Sequence, residues 1–306
     1  MITQKTVFIL GAGASCPFGF PTGPQLRDEI TSLIGTSLTL GDKIFEGIPE
    51  SLKIFETCGH TFHELITFSE NLIWSQKNSI DAFLEHRPEF IKLGKRLITF
   101  SLIGYESLDA IYKNPDWYNY LWNKLNAKFE DFDKNQVSFI TFNYDRTLEI
   151  YLISSMMALY NRTSSECYEK LKKIPIIHVH GKLGKNEVEN DKYFIGSGKN
   201  ISSHIKLMEA AESIKIIHED ISNDKEFIVA QDLISNADKI IILGLGYDES
   251  NLTRLKITDA NGRIQGSSFG LTQMECQSIQ RKFPINFSPY NHHKALEFLR
   301  HSVMME

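Results

Sequence analysis

Cysteine is sparse: Cys16, Cys58, Cys167 and Cys276 are scattered over 306 residues with no C-x-x-C pair. That distribution excludes a zinc ribbon and a secreted disulfide framework, and reduced thiols are expected. No apolar run approaches the roughly 18 residues that cross a bilayer. The opening MITQKTVFIL runs directly into a strand-like stretch rather than a cleavable leader. A cytoplasmic protein without a membrane partner is therefore expected. Neither sign of charge dominates, since 33 Lys and Arg meet 38 Asp and Glu for a formal net charge of -5. No broad basic face is left for sequence-independent attraction to nucleic acid, so no direct nucleic-acid partner is expected. The Lys170/Lys172/Lys173 cluster reads as a solvated helix face. Internal repeats and low-complexity tracts are also missing.

What is present is ordinary globular material, 42% hydrophobic and 23% charged, enough for a sizeable core. Residues 7–10 (VFIL) form an unbroken apolar run ended by Gly11, as suits a strand covered on both faces. In PTGPQLRDEI, Pro24 is a plausible first helical residue, and Leu26 and Ile30 fall four apart on one helix side. From about residue 60 to 132 strand-like runs disappear, while Tyr118, Leu121, Trp122, Leu125, Phe129 and Phe132 recur at helical spacing. These read as a packed aromatic core within an inserted helical module. Strands return at 137–142 (VSFITF), 174–180 (IPIIHVH) and 239–244 (KIIILG), separated by lengths that fit helical crossovers. Residues 185–192 read as a polar loop, and the chain closes with SSFGLT, FPINFSP and a helix from about Asn291. The expected fold is α/β: a single domain over 1–306 built on a Rossmann-like, doubly wound, mostly parallel sheet, with 60–132 as a helical insertion.

Three G-x-G triplets occur, Gly11-Ala12-Gly13, Gly196-Ser197-Gly198 and Gly244-Leu245-Gly246. Roughly one is expected by chance in such a chain, so only context separates them. In a doubly wound sheet, ligands bind beyond the carboxyl ends of the strands. The residues just past the expected strands are Gly11-Ala12-Gly13-Ala14-Ser15, Asn143-Tyr144-Asp145, His180-Gly181 and Gly244-Leu245-Gly246. Two glycine turns, an amide, a carboxylate and an imidazole are thereby gathered at one edge.

The segments GAGAS, TFNYD, HVHGKLG and IILGLGYDES, in that order, resemble the NAD-binding motifs of the sirtuin fold. With PTGPQL and SIDAFLE added, they are similar to the bacterial sirtuin-like proteins of anti-phage defence. The resemblance runs from about residue 6 to 250, and the Asn-x-Asp plus His-Gly pair is its most specific part. It implies that NAD+ is consumed as a substrate at its nicotinamide–ribose bond, through an oxocarbenium-like state. On this resemblance Asn143 and His180 are catalytic. Asn143 would hold the ribose or an attacking water, and His180 would act as general base. The amides of Gly11, Gly13 and Ala14 would approach the pyrophosphate, with Ala12 and Ser15 in the same turn. Asp145 would orient the nicotinamide end, or else cap the helix of RTLEIYL. Gly181 follows the histidine. Gly244 and Gly246 would close around the adenosine half, and Asp248 would reach a ribose hydroxyl or cap a helix.

Cys16 stands where the ordinary dinucleotide fingerprint has its third glycine, which weakens a hydride-transfer reading. A thiol at a helix start can be nucleophilic, but no catalytic part is assigned to it. His178, two residues before His180, is expected on the same strand face. No third ligand accompanies the pair, so no metal is assigned. The missing cysteine pairs also separate the chain from the deacylase sirtuins. Hydrolysis of NAD+ to nicotinamide and ADP-ribose, depleting the dinucleotide during anti-phage defence, is the favoured expectation. The alternatives are an NAD-dependent protein deacylase or ADP-ribosyltransferase, or a non-catalytic sensor of NAD or ADP-ribose. The resemblance also implies a homo-oligomer, or regulation by a partner ATPase or other defence protein.

Overall fold

Unbroken apolar runs become strands with two covered faces. The computed structural model describes residues 1–35, 50–114, 116–184, 204–216 and 224–304. Residues 185–192 and the triplet Gly196-Ser197-Gly198 lie outside the described residues. Six strands form one sheet: β1 (Thr6–Leu10), β2 (Val137–Thr141), β3 (Ile176–His178), β4 (Lys239–Leu243), β5 (Arg263–Gly266) and β6 (Ile285–Phe287). Their spatial order is β3-β2-β1-β4-β5-β6, and every neighbouring pair is parallel. The chain builds outward from β1 to β3, then crosses over and builds the other half from β4. The order therefore reverses between β1 and β4, the position at which doubly wound sheets hold ligands.

Side chains along a strand alternate between faces. Phe8, Leu10, Phe139, Ile241 and Leu243 enter one buried cluster, whereas Val7, Ile9, Ile140, Ile240 and Ile242 enter the other. Between β1 and β2 lie α1 (Gly23–Ile34), α2 (Lys53–Thr57), α3 (Phe62–Trp74), α4 (Ile80–Leu84), α5 (Ile91–Leu102), α6 (Leu108–Lys113) and α7 (Asp116–Lys124). Pro24 is the second residue of α1, and Gln25 Oε1 accepts from the Thr22 N–H at 2.8 Å to close the helix start. Leu26, Ile30 and Ile34 are the buried side of α1. The helical character thus begins well before residue 60. Tyr118, Leu121, Leu125 and Phe132 are buried in the same cluster as Phe8 and Phe139, with Trp122 and Phe129 packed at its edge. The 60–132 stretch accordingly packs into the cluster that covers one face of the sheet.

The remaining crossovers are α8 (Thr147–Tyr160), α9 (Ser164–Leu171), α10 (His204–Glu212), α11 (Lys225–Ser235), α12 (Glu249–Arg254) and α13 (Gln273–Gln280), and α14 (Ala295–Ser302) closes the chain. Three differences from the sequence reading have local causes. The 174–180 run yields only three paired residues, because the Ile174 N–H closes the end of α9 on Leu171 O and the Gly181 N–H turns back to His178 O. β5 is an additional strand in which exposed Arg263 precedes buried Ile264 and Gln265. The last helix starts at Ala295, four residues later than expected. Lys170 and Lys173 both reach Asp133, and Lys172 reaches Glu169, so the lysine cluster is met by acidic neighbours.

Candidate functional site

The two described glycine loops meet at the switch point. The N–H of Gly11 donates to Leu243 O, and that of Gly13 to Gly244 O, each at 2.9 Å. A Cβ at Gly11 would stand 2.6 Å from Gly244 O, and one at Gly244 would stand 2.2 Å from Ala14 N. Gly244 also has φ +60°, a conformation that favours glycine. These residues are glycine because two backbones touch. The Ala14 N–H donates to Gly11 O at 2.9 Å and the Ser15 N–H to Ala12 O at 3.0 Å, within a short 3-10 turn over Ala12–Ala14. The amides of Gly11, Gly13 and Ala14, expected to face a pyrophosphate, are therefore all engaged inside the protein. Gly246 differs, with open space where a Cβ would stand. Asp248 caps α12, accepting from the Asn251 N–H at 3.2 Å and the Ser250 hydroxyl at 2.6 Å.

Asn143 leaves the end of β2 and turns toward β1. Its Nδ2 donates to Gly11 O at 3.0 Å and to Ser15 Oγ at 2.9 Å, while its own N–H donates to Thr141 Oγ1 at 3.0 Å. Among the described residues no hydrogen bond engages its Oδ1. Ser15 Oγ passes its hydrogen to Asp145 Oδ2 at 2.7 Å. Asp145 Oδ1 accepts from the Thr147 N–H at 3.2 Å and from the Thr147 hydroxyl, which in turn meets the Tyr118 hydroxyl at 2.8 Å. Asp145 thus braces the start of α8 and the glycine turn together. Burial pushes its carboxyl above the ordinary range, against the hydrogen bonds from Thr147 and Ser15. A cavity of about 10 Å³ remains among Ser15, Trp117, Tyr118, Asn143, Asp145 and His178.

His180 stands elsewhere. Thr141 pairs with His178, so Asn143 and His180 each lie two residues beyond the paired ends of neighbouring strands. Their side chains diverge: the His180 ring meets the Phe142 ring edge-on at 5.2 Å and the Phe227 ring at 6.3 Å. Among the described residues no hydrogen bond or ring contact joins His180 to the Asn143 carboxamide. The imidazole is buried, and among the described residues its Nε2 has no partner. Burial, then the nearby Arg254 cation, pushes it down to about 4, partly offset by Asp224. Arg254 itself approaches Glu85 at 3.5 Å. Gly181 has φ +71°, and a Cβ there would lie 2.0 Å from Ser213 O. The segment carrying Lys215, whose N–H donates to His180 O at 2.8 Å, crosses directly over it.

The cavity-lining histidine is His178, not His180. Its Nδ1 is 3.0 Å from Asn143 O and its Nε2 is 2.9 Å from Glu149 Oε1. The expectation that the two histidines share a strand face is corrected, because β3 ends at His178 and the chain turns before alternation continues. Burial raises the Glu149 carboxyl, but His178 and Lys182 outweigh it and bring it down to about 2. Thr147 and Glu149 were not singled out from the sequence, and Tyr118 was read only as part of a packed aromatic core. Only Glu149 left a signal there, as an acidic residue inside the apolar run of α8. Cys16 is held above the ordinary thiol range by burial and by Asp145, which keeps it protonated and unreactive. None of the four cysteines is in a disulfide. Among the described residues no cluster of three or more His, Cys, Asp or Glu could hold a metal ion, and no helix is long and apolar enough to cross a membrane.

Sheet order, parallel strands and the meeting of loops at the switch point define a doubly wound, Rossmann-like α/β protein with its candidate site beyond the carboxyl ends of β1, β2 and β3. No family model and no curated protein matches the chain. It is similar to a solved structure described as "The Structural basis of Sirtuin Substrate Affinity", at 15% identity and a TM-score of 0.34, over 96% of this chain and 91% of that one.

Proposed function

We propose that the chain is an NAD+ glycohydrolase that severs the nicotinamide–ribose bond to give nicotinamide and ADP-ribose, and that it serves anti-phage defence by depleting NAD+ in the cytoplasm. The motif resemblance to sirtuin-like proteins supplies the substrate. The observation that supports the chemistry is a tethered carboxamide, Asn143, and a buried imidazole, His180, each two residues beyond the paired ends of adjacent strands. Asn143 keeps Oδ1 free to hold a ribose hydroxyl or a water, while Nδ2 is fixed by Gly11 and Ser15. His180 supplies a base already deprotonated at neutral pH. Nicotinamide leaves from a positively charged ring nitrogen, so the sugar needs orientation and charge placement more than a strong nucleophile. Asp145 contributes by holding Ser15.

A cavity of about 10 Å³ has room for a single water. A diphosphate held at the glycine turn would require the loop amides to exchange their internal partners for it. The separation of the His180 ring from the Asn143 carboxamide favours one second reading, a sensor that binds NAD or ADP-ribose without cleaving it. Homo-oligomers or a partner ATPase would restrain either activity in the cell.

Purified protein incubated with NAD+ decides between them. Nicotinamide release with free ADP-ribose in the mass spectrum, lost in Asn143→Ala and in His180→Ala, supports hydrolysis. Retained NAD+ binding with no release, also in the presence of the partner, overturns it in favour of the sensor. Turnover only when a protein acceptor is added overturns it in favour of transfer or deacylation.

A further inference from the structure

His178 ends β3 with its ring enclosed, 7% exposed. Its Nδ1 is 3.0 Å from the main-chain oxygen of Asn143, and its Nε2 is 2.9 Å from Glu149 Oε1. A peptide carbonyl only accepts, so Nδ1 carries a hydrogen. The other nitrogen then faces a carboxylate oxygen at hydrogen-bond distance. Two bare lone pairs at that distance repel, so a second proton must stand between them, on the ring or on the carboxyl.

We infer that His178 and Glu149 share this second proton as a charge-assisted pair, and that the pair is a positioning device which clamps the Asn143 carbonyl and so aims its carboxamide. The aiming role rests on the reading of Asn143 as part of the NAD+ site, whereas the proton count stands without it. Asn143 is tethered through three groups: its N–H to Thr141, its Nδ2 to Gly11 and Ser15, and its carbonyl to His178. Only Oδ1 is left for a ligand. Releasing the carbonyl removes one of the three tethers that fix the Asn143 backbone from which the carboxamide projects.

Titratable groups face the ring from each element packed against it. Glu149, from α8, has its carboxyl held down to about 2, by His178 and then by Lys182 against the opposing effect of burial. Lys182 reaches the same carboxylate oxygen at 3.8 Å from the segment after β3. Asp145, after β2, is a second carboxylate whose charge couples to His178. Tyr118, on α7, faces Asp145 and Glu149 with its phenol held well above its ordinary range by burial, and so neutral. Two carboxyl groups, one lysine and a neutral phenol thus face the ring.

The test uses full-length protein labelled with ¹⁵N-histidine, with His178→Gln assigning the ring signals. Wild-type protein at neutral pH should show both His178 nitrogens in the protonated range, and Glu149→Gln should return the ring to one protonated nitrogen. A single protonated nitrogen in wild type overturns the pair. Hydrogen exchange of the Asn143 carboxamide reads the positioning role without any turnover. It should quicken on the order of tenfold in His178→Gln as the carbonyl tether goes, and unchanged exchange in that variant, folded, overturns that role. With NAD+ as substrate, kcat for nicotinamide release should fall on the order of 10²-fold in Glu149→Gln with KM little changed. Loss of binding alone argues against positioning. If wild type releases no nicotinamide, the proposed activity fails, while the ring and carboxamide signals still decide the inference.

Discussion

The Ser15 hydroxyl donates to Asp145 Oδ2 at 2.7 Å, joining the glycine turn after β1 to the loop after β2 across 130 positions of sequence. Ser15 Oγ also accepts from Asn143 Nδ2 at 2.9 Å. One hydroxyl therefore mediates between a carboxamide and a carboxylate that otherwise face no common partner. Asp145 completes the chain by accepting from Thr147 at the start of α8, so the residues of the candidate site are held by one another before any ligand arrives.

Ser15→Ala removes the shared hydroxyl and leaves a buried carboxylate oxygen and a carboxamide hydrogen each short of a partner. Losing such a bond in a buried setting costs about 1–3 kcal/mol, and urea unfolding should show a loss of that size at an unchanged m-value. Under the proposed activity, nicotinamide release should fall on the order of 10²-fold, because the carboxamide loses an anchor. Turnover equal to wild type in a destabilised variant would show that Ser15 only holds the fold.

The two glycines of the 244–246 turn should respond oppositely to alanine. At Gly244, φ is +60° and the added Cβ would fall 2.2 Å from Ala14 N and 2.4 Å from Gly13 C. Backbone cannot yield as a side-chain tip can, so Gly244→Ala should cost about 3 kcal/mol or more. At Gly246 nothing lies within 4 Å of a Cβ, and the change should stay within about 0.5 kcal/mol. Thermal unfolding compares the pair. Because Gly246→Ala leaves the fold intact, calorimetric NAD+ titration of that variant reads whether a ligand approaches the backbone there; equal affinity removes Gly246 from the site.

Why glycine loops were legible and their amides were not follows from what a sequence encodes. The unbroken apolar run at 7–10 and the strand-like stretches at 137–142 and 239–244 announce strands, and these became β1, β2 and β4. A glycine after such a strand announces a tight approach but not what approaches, and here the visitor to Gly11 and Gly13 is Gly244, in a loop far along the chain. The spacing of His178 and His180 implies a common face only while a strand continues, and the Gly181 turn ends that alternation. β5 escaped notice because Arg263 and Gln265 interrupt its apolar character. Tyr118 and Glu149 reach the cavity through packing of α7 and α8, which no local pattern records.

Tyr144 and Asp81 join the segment SIDAFLE to the loop after β2: the tyrosine hydroxyl donates to Asp81 Oδ1 in the first turn of α4. Burial raises the Asp81 carboxyl, and the Tyr144 hydrogen bond counters it. Tyr144→Phe removes that donor, so stability should fall by about 1–3 kcal/mol. The Asp81→Asn change made on top of it should cost less than it does alone. A double-mutant cycle by chemical unfolding reads the coupling, expected at about 1 kcal/mol or more; additive losses would mean that the contact does not fasten α4 to the site loop.

His180 should leave a signature in the pH dependence of stability. Its imidazole is pushed down to about 4 by burial first and the Arg254 cation second, with Asp224 opposing. An unfolded histidine titrates near about 6.5. Between about pH 4 and about pH 6.5 the unfolded chain therefore binds a proton that the folded chain does not, so this group makes stability rise with pH. The slope is about 1.4 kcal/mol per pH unit, giving roughly 3 kcal/mol that is present above about pH 6.5 and lost on acidification. Urea unfolding at a series of pH values should show this slope in the wild type and its disappearance in His180→Gln, whatever uniform offset the lost Phe142 contact adds. Parallel slopes in the two proteins would mean that the folded imidazole still takes up its proton at the ordinary pH. In that event the acid limb of nicotinamide release would lie near about pH 6.5 instead of about pH 4, and a base held neutral by burial could not be part of the mechanism.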